Sequence, residues 1–129
     1  MRVMLDTDVL LSVIFFPTER TRRLVREICE KQELLLCDCV VEELERLAAQ
    51  KFPARRVAME QFFINLPYTL VSTEAEAPRP RRLLEAAERE GVEVLLTGDR
   101  ELLHLSSETT RIVGITEYVW RTHMKKLTA

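Results

Sequence analysis

The sequence predicts an α/β fold, a mainly parallel sheet with helices on both faces. Short apolar runs alternate with helical patterns along the chain, the order that builds a parallel sheet through crossovers. Two of those runs also end in a carboxylate: Val3-Met4-Leu5 runs into Asp6, and Val94-Leu95-Leu96 runs through Thr97 and Gly98 into Asp99. In open parallel sheets ligands collect beyond the carboxyl ends of the strands, so two acids at two strand ends can share one pocket. Such a pocket is anionic and wants a cation.

The first strand is read at Arg2 to Leu5, followed by a short apolar helix from Asp8 to Phe15 that Pro17 stops. A second helix spans about Glu19 to Lys31, with Leu24, Val25, Ile28 and Cys29 as its apolar stripe and four arginines largely off it. Leu34 to Leu36 is a short strand, and Asp38 can cap the next helix, where Val40, Val41, Leu44, Leu47 and Ala48 recur at helical spacing. A helix from about Pro53 to Asn65 leads through Pro67 into an extended segment, Tyr68 to Val71. The stretch from Ser72 to Pro80 reads as a connecting loop. A helix from about Arg81 to Glu90 ends at the C-cap candidate Gly91, and Val92 to Leu96 is a buried strand. A short helix over Arg100 to Leu105, a strand at Arg111 to Val113 and a terminal helix from about Thr116 to Lys126 complete the chain.

The 129 residues, 47% hydrophobic and 31% charged, fit one domain over residues 1–129 with a core of its own. Nineteen Lys and Arg against 21 Asp and Glu leave a net charge of −2, so bulk charge does not advertise nucleic-acid binding. The apolar stretch from Val9 to Phe16 is too short to span a bilayer, and the N-terminus lacks a secretion pattern, so a cytoplasmic protein without a membrane is expected. Cys29, Cys37 and Cys39 suit neither a disulfide framework nor a standard zinc spacing, and read as buried, inert thiols. With only Gly91, Gly98 and Gly114, the chain has no Gly-rich phosphate loop, which argues against nucleoside-triphosphate chemistry.

Each acid also has a structural reading. Asp6 and Asp99 both precede helices, where Asp is a favoured N-cap, and Thr7 or Asp8 could cap as well as Asp6. Glu43 shares its helix with Glu42 and Glu45, and at about 100° per residue both Glu43 and Glu45 border the apolar stripe, so periodicity does not choose between them. Glu101 stands two residues after Asp99, where an acid also complements the helix dipole.

Together, LDTDVLLSVIFF at the start, CVVEELERL in the middle, and VLLTGDRELL followed by RIVGITEYV near the end resemble a PIN domain. The resemblance runs over almost the whole length and is nearest to small single-domain toxins of toxin–antitoxin pairs, of the VapC type. It implies a three-layer α/β/α sandwich that gathers acids around Mg²⁺ or Mn²⁺ to hydrolyse RNA. By position, Asp6 matches the first-strand Asp, Glu43 the Glu preceding Leu in the helix, and Asp99 the Asp of the TGD turn; Glu101 is a further candidate ligand. It also implies an antitoxin partner and a homodimer, and Ile115, Tyr118, Val119 and Trp120 of the terminal helix are candidates either for the core or for that interface.

Two departures stand out. Asp8 occupies a place where such proteins usually carry Asn, adding charge. The family's further metal-site acid falls at Pro80 and Arg81, inside the run Pro78-Arg79-Pro80-Arg81-Arg82, so cations stand where an acid is expected. Glu85, one turn later, could replace it, or the remaining acids could suffice, since Mg²⁺ keeps several waters. The alternative is a catalytically degenerate PIN-like domain, in which Arg81 or Arg79 pairs with the acids and takes the cation's place, leaving an RNA- or protein-binding or regulatory module. A receiver-like phosphate-transfer domain fits less well, because no active-site Lys follows a later strand. Candidate substrate contacts are Thr7, Thr97, Arg79, Arg81 and Arg82, the arginines lying beside the expected pocket.

Overall fold

The structure, a computed structural model, describes residues 1–73 and 79–128, with side chains as far as Lys125. Five strands form the sheet: β1 Arg2–Leu5, β2 Glu33–Cys37, β3 Thr69–Val71, β4 Val94–Leu96 and β5 Arg111–Val113. Their order is β3-β2-β1-β4-β5, and every pairing is parallel. Val3 lies opposite Leu34 on one side and Val94 on the other, with Met4 between Leu35 and Leu95. Central strands covered on both faces read as continuous apolar runs, which is how β1, β2 and β4 are written.

The chain winds outward from β1 through β2 to β3, then crosses back to build β4 and β5 on the other side. Because such crossovers are right-handed, the reversal puts helices on both faces and gives a three-layer α/β/α sandwich. Helices α1 (Thr7–Phe15), α2 (Glu19–Lys31), α3 (Asp38–Lys51) and, after a 3₁₀ turn over Pro53–Arg55, α4 (Arg56–Asn65) belong to the first half. Helix α1 touches α2, α3 and α4, and α5 (Arg79–Arg89) touches α6 (Arg100–Leu103). The terminal helix α7 (Ile115–Thr128) comes back to α2, where Arg20 Nη2 donates to Thr116 Oγ1 at 3.0 Å. Met4, Leu10, Leu35, Leu44, Leu83, Leu95 and Leu102 are fully buried in one continuous core.

Most element ends follow local chemistry. Thr18 and Thr21 form a reciprocal capping box at the start of α2. Helix α5 ends in a Schellman arrangement, with Val92 N donating to Ala87 O and Gly91 N to Glu88 O, and Gly91 supplies the required left-handed residue at φ 68°. Several ends differ from expectation, and β4 starts at Val94, two residues late. Asp38 lies inside α3 rather than capping it, and its Oδ1 accepts from Cys39 N, Thr73 N and Thr73 Oγ1. Helix α6 stops at Leu103, two residues early. Helix α5 starts at Arg79 instead of Arg81, with Pro80 in its first turn, where the missing N–H costs nothing. Of the stretch read as a loop, residues 74–78, which include Pro78, lie outside the described residues.

Candidate functional site

Strands β1 and β4 are neighbours, in register from Val3↔Val94 to Leu5↔Leu96, at the point where the strand order reverses. That switch point opens a crevice beyond their carboxyl ends. Asp6 is the first residue beyond β1, and its N–H extends the ladder by donating to Leu96 O at 2.9 Å. It also caps α1, its Oδ1 accepting from Thr7 N at 2.7 Å, so the capping and pocket readings hold for one carboxylate. Thr97, immediately after β4, donates from Oγ1 to Asp6 Oδ2 at 2.7 Å and accepts from Asp99 N at 3.0 Å. Asp99 in turn caps α6 through Glu101 N. One hydroxyl thus fixes both strand-end acids relative to each other.

Two further elements close the cluster. Helix α3 brings in Glu43, and the first residue of α5 brings in Arg79. The guanidinium donates from Nε to Glu43 Oε2 at 2.5 Å, and from Nη2 to Asp6 Oδ1 at 2.9 Å and Thr7 Oγ1 at 2.8 Å. Burial works against its charge, but Asp6 and Glu43 outweigh that and hold the proton more firmly. Asp8 rests on the backbone of Gly98, and a Cβ there would collide with its carboxylate. Partial burial, then the Asp6 charge, pushes the Asp8 carboxyl above its ordinary range, against hydrogen bonds from backbone N–H groups.

Asp6, Thr7, Asp8, Glu43, Arg79, Gly98 and Asp99 line one cavity of about 240 Å³. A larger cavity of about 500 Å³ between α2 and α7, lined by Thr18, Arg23, Glu27, Tyr118 and His123 among others, lacks this convergence of Asp and Glu side chains from separate elements. The structure therefore brings together Asp6, Glu43, Asp99, Thr7 and Arg79 of the residues singled out in the sequence. It also separates Glu43 from Glu45, which is exposed and lines a different cavity with Arg56 and Met59.

Five residues singled out in the sequence do not line this cavity. Thr97 is 0% exposed and committed to Asp6 and Asp99, so here it positions acids instead of lining the cavity. Arg81 is exposed and outside the cavity, because the earlier start of α5 puts Arg79 there instead. Arg82 lies by Asp38, where its charge helps hold that carboxyl down. Glu101 is exposed, joined to the cluster through its backbone N–H, and Glu85 is exposed away from it.

All the cavity's charged acceptors are carboxylate oxygens, the hard donors that Mg²⁺ or Mn²⁺ takes. A stand-in cation is already present in the Arg79 guanidinium, seated between Asp6 and Glu43. Among the described residues no three His, Cys, Asp or Glu side chains are grouped to hold a metal ion. The donor types suit a hard divalent ion, while the place between Asp6 and Glu43 is filled by the Arg79 guanidinium.

No protein-family model matches the sequence, and no curated protein matches it. Solved structures do match. The crystal structure of VapBC2 from Rickettsia felis, bound to a DNA fragment from their promoter, is similar with a TM-score of 0.61 at 12% identity, over 88% of this chain and 98% of that one. The structure of the PIN domain endonuclease Utp24 is similar with a TM-score of 0.57 at 16% identity, over 88% of this chain and 84% of that one.

Proposed function

We propose that this chain, which has the PIN-domain fold, is a nuclease that hydrolyses RNA phosphodiester bonds and serves as the toxin of a toxin–antitoxin pair. The observation that carries the reading is the meeting of Asp6, Glu43 and Asp99, from three separate elements, on one cavity at the switch point of the sheet. Likeness to VapBC2 supports an antitoxin partner, and likeness to the Utp24 endonuclease supports phosphodiester chemistry. No helix among the described residues is long and apolar enough to cross a membrane. A homodimer through α7 is part of the proposal, because Trp120 there is 61% exposed.

Asp6, Glu43 and Asp99 would hold Mg²⁺ or Mn²⁺, with Asp8 at the rim. Bound there, the ion supplies Lewis-acid polarisation of the phosphoryl group and a more acidic water. The protein's part is positional. Thr7 N and Thr97 Oγ1 fix the two oxygens of Asp6, so its carboxylate is aimed before any ligand arrives. Asp99 is held by the same hydroxyl through its backbone N–H.

A second reading, a catalytically silent binding module, is favoured by the Arg79 fork itself, which already neutralises the acids. Labelled structured and unstructured RNAs, incubated with Mn²⁺ and either wild type or Asp6→Asn, separate the two. Metal-dependent cutting that vanishes in Asp6→Asn is the expected result. Equal background from both proteins would leave the silent module.

A further inference from the structure

The Arg79 guanidinium is seated in the acidic cavity as a removable occupant. Four carboxylates, Asp6, Asp8, Glu43 and Asp99, line that cavity together with this one cation. The guanidinium holds Asp6 and Glu43 and donates to the Thr7 hydroxyl, while Asp8 rests against Gly98 and Asp99 caps α6. One positive charge thus serves a wall of four acids, where a divalent ion would bring two.

The acids keep their places without it. Asp6 is fixed by Thr7 N and Thr97 Oγ1 at 2.7 Å each, and Asp99 by Thr97 Oγ1 at 3.0 Å and Glu101 N at 2.9 Å. Glu43 sits on α3, which buried Val40, Leu44 and Ala48 anchor. Arg79 is the first residue of α5, and that helix is anchored further on by Leu83, Leu84, Ala86 and Ala87. Departure of the guanidinium therefore asks for rotation of one side chain at a helix end, and no element has to move. Solvent already touches the pair that must part: the Arg79 side chain is 31% exposed and that of Glu43 27%. Water can replace the bonds lost there, so the closed arrangement is held by a modest margin.

We propose that Arg79 is a built-in competitor of the metal: the guanidinium closes the site in the resting chain, and a divalent ion loads as it swings out to solvent. This gate rests on the metal-binding reading of the cavity and adds its regulation. The silent module and the nuclease are then two states of one site. Where the guanidinium holds the seat in about nine molecules of ten, the apparent Kd for the ion is about tenfold weaker than that of the open site.

Solution NMR of the intact ¹⁵N-labelled chain, titrated with diamagnetic Mg²⁺, tests this without any cleavage. Arg79 Nε–H, which donates to Glu43 Oε2, is the arginine side-chain signal that disappears in Arg79→Lys. Arg2 and Arg56, whose Nε atoms pair with Glu33 and Glu60, are internal references. The backbone N–H groups of Thr7 and Glu101 donate to the Asp6 and Asp99 carboxylates and so report an ion arriving there. The expected result is that Mg²⁺ shifts Thr7 and Glu101 and displaces the Arg79 Nε–H signal with one common midpoint, leaving Arg2 and Arg56 unchanged. Arg79→Ala should bind Mg²⁺ at least about tenfold more tightly than wild type, and Arg79→Gln serves if the alanine variant does not fold. An Arg79 signal that stays while Thr7 and Glu101 shift, equal affinities in wild type and variant, or no Mg²⁺ response in the variants would overturn the proposal. The nuclease reading fails separately. A chain that exchanges Arg79 for Mg²⁺ but cuts no RNA keeps the gate and loses the hydrolysis, and one that cuts RNA with Arg79 Nε–H still in place loses the gate alone.

Discussion

Replacing Arg79 by alanine deletes a guanidinium that holds one carboxylate on α3, one at the end of β1 and a hydroxyl on α1. It removes the bonds to Glu43 Oε2, Asp6 Oδ1 and Thr7 Oγ1. Breaking a fully buried pair from one side costs about 3–5 kcal/mol, and an exposed pair contributes at most about 1 kcal/mol. Arg79 lies between these limits at 31% side-chain exposure, with Glu43 at 27%, while Asp6 at 2% keeps its bonds from Thr7 N and Thr97 Oγ1. Water can therefore reach Glu43 but hardly Asp6, and the net loss is about 2 kcal/mol. With an unfolding entropy of about 2.1 cal/mol/K per residue, this corresponds to a Tm lower by about 7 °C. The vacated seat should then take a divalent ion. At a hundred times its Kd such an ion adds about 2.7 kcal/mol, or about 10 °C. Thermal unfolding followed by circular dichroism, in EDTA and in millimolar Mn²⁺, reads both effects. Arg79→Ala should melt below wild type in EDTA and gain far more from Mn²⁺. Equal melting in EDTA, or equal gains from Mn²⁺, would refute the claim that Arg79 and the metal share one seat.

Thr97→Val keeps the shape but strands Asp6 Oδ2 and Asp99 N, so urea unfolding should show a loss of about 2–3 kcal/mol and a displaced Asp6. Asp8 has a folded-state pKa above its ordinary 3.8, so between those values the native state binds more protons than the unfolded chain. Stability from this group is therefore highest below 3.8 and falls as pH rises through the folded value. Asp8→Asn should raise Tm at neutral pH and flatten that part of the Tm–pH profile; an unchanged Tm at pH 7 would contradict the assignment. Gly91→Ala meets no neighbouring atom within 4 Å but must hold φ 68°, so equilibrium unfolding should register a loss of about 1 kcal/mol, purely from the backbone.

Much of the site can be read from the sequence because its acids follow apolar runs. Asp6 and Asp99 announce themselves as strand-end residues, yet their adjacency depends on pairing Met4 with Leu95, which no local pattern encodes. The choice of Glu43 over Glu45 is likewise non-local: both border the stripe, and the packing of α3 against α1 and β2 decides which faces the cavity. Arg79 was within reach of sequence reasoning. Pro80 favours the first helical turn, so the residue beside it, and not Arg81, enters the cluster. Thr97 illustrates the opposite limit, since a hydroxyl in a TGD turn looks like a surface contact until the crossing of β1 and β4 buries it. Cys37 and Cys39 show a further limit. Their spacing excludes common frameworks, but only the bend from β2 into α3 buries the first fully and leaves the second half-buried.

If the cavity around Asp6 hydrolyses phosphodiester bonds as proposed, the Arg79 guanidinium between Asp6 and Glu43 holds it in a neutralised state. The most direct measurement compares Mn²⁺-dependent RNA cleavage rates of wild type, Arg79→Ala and the double variant Arg79→Ala/Asp6→Asn, all purified identically. Arg79→Ala should cleave faster than wild type, and the double variant should not cleave. Cleavage by Arg79→Ala no faster than the background of the double variant would contradict it.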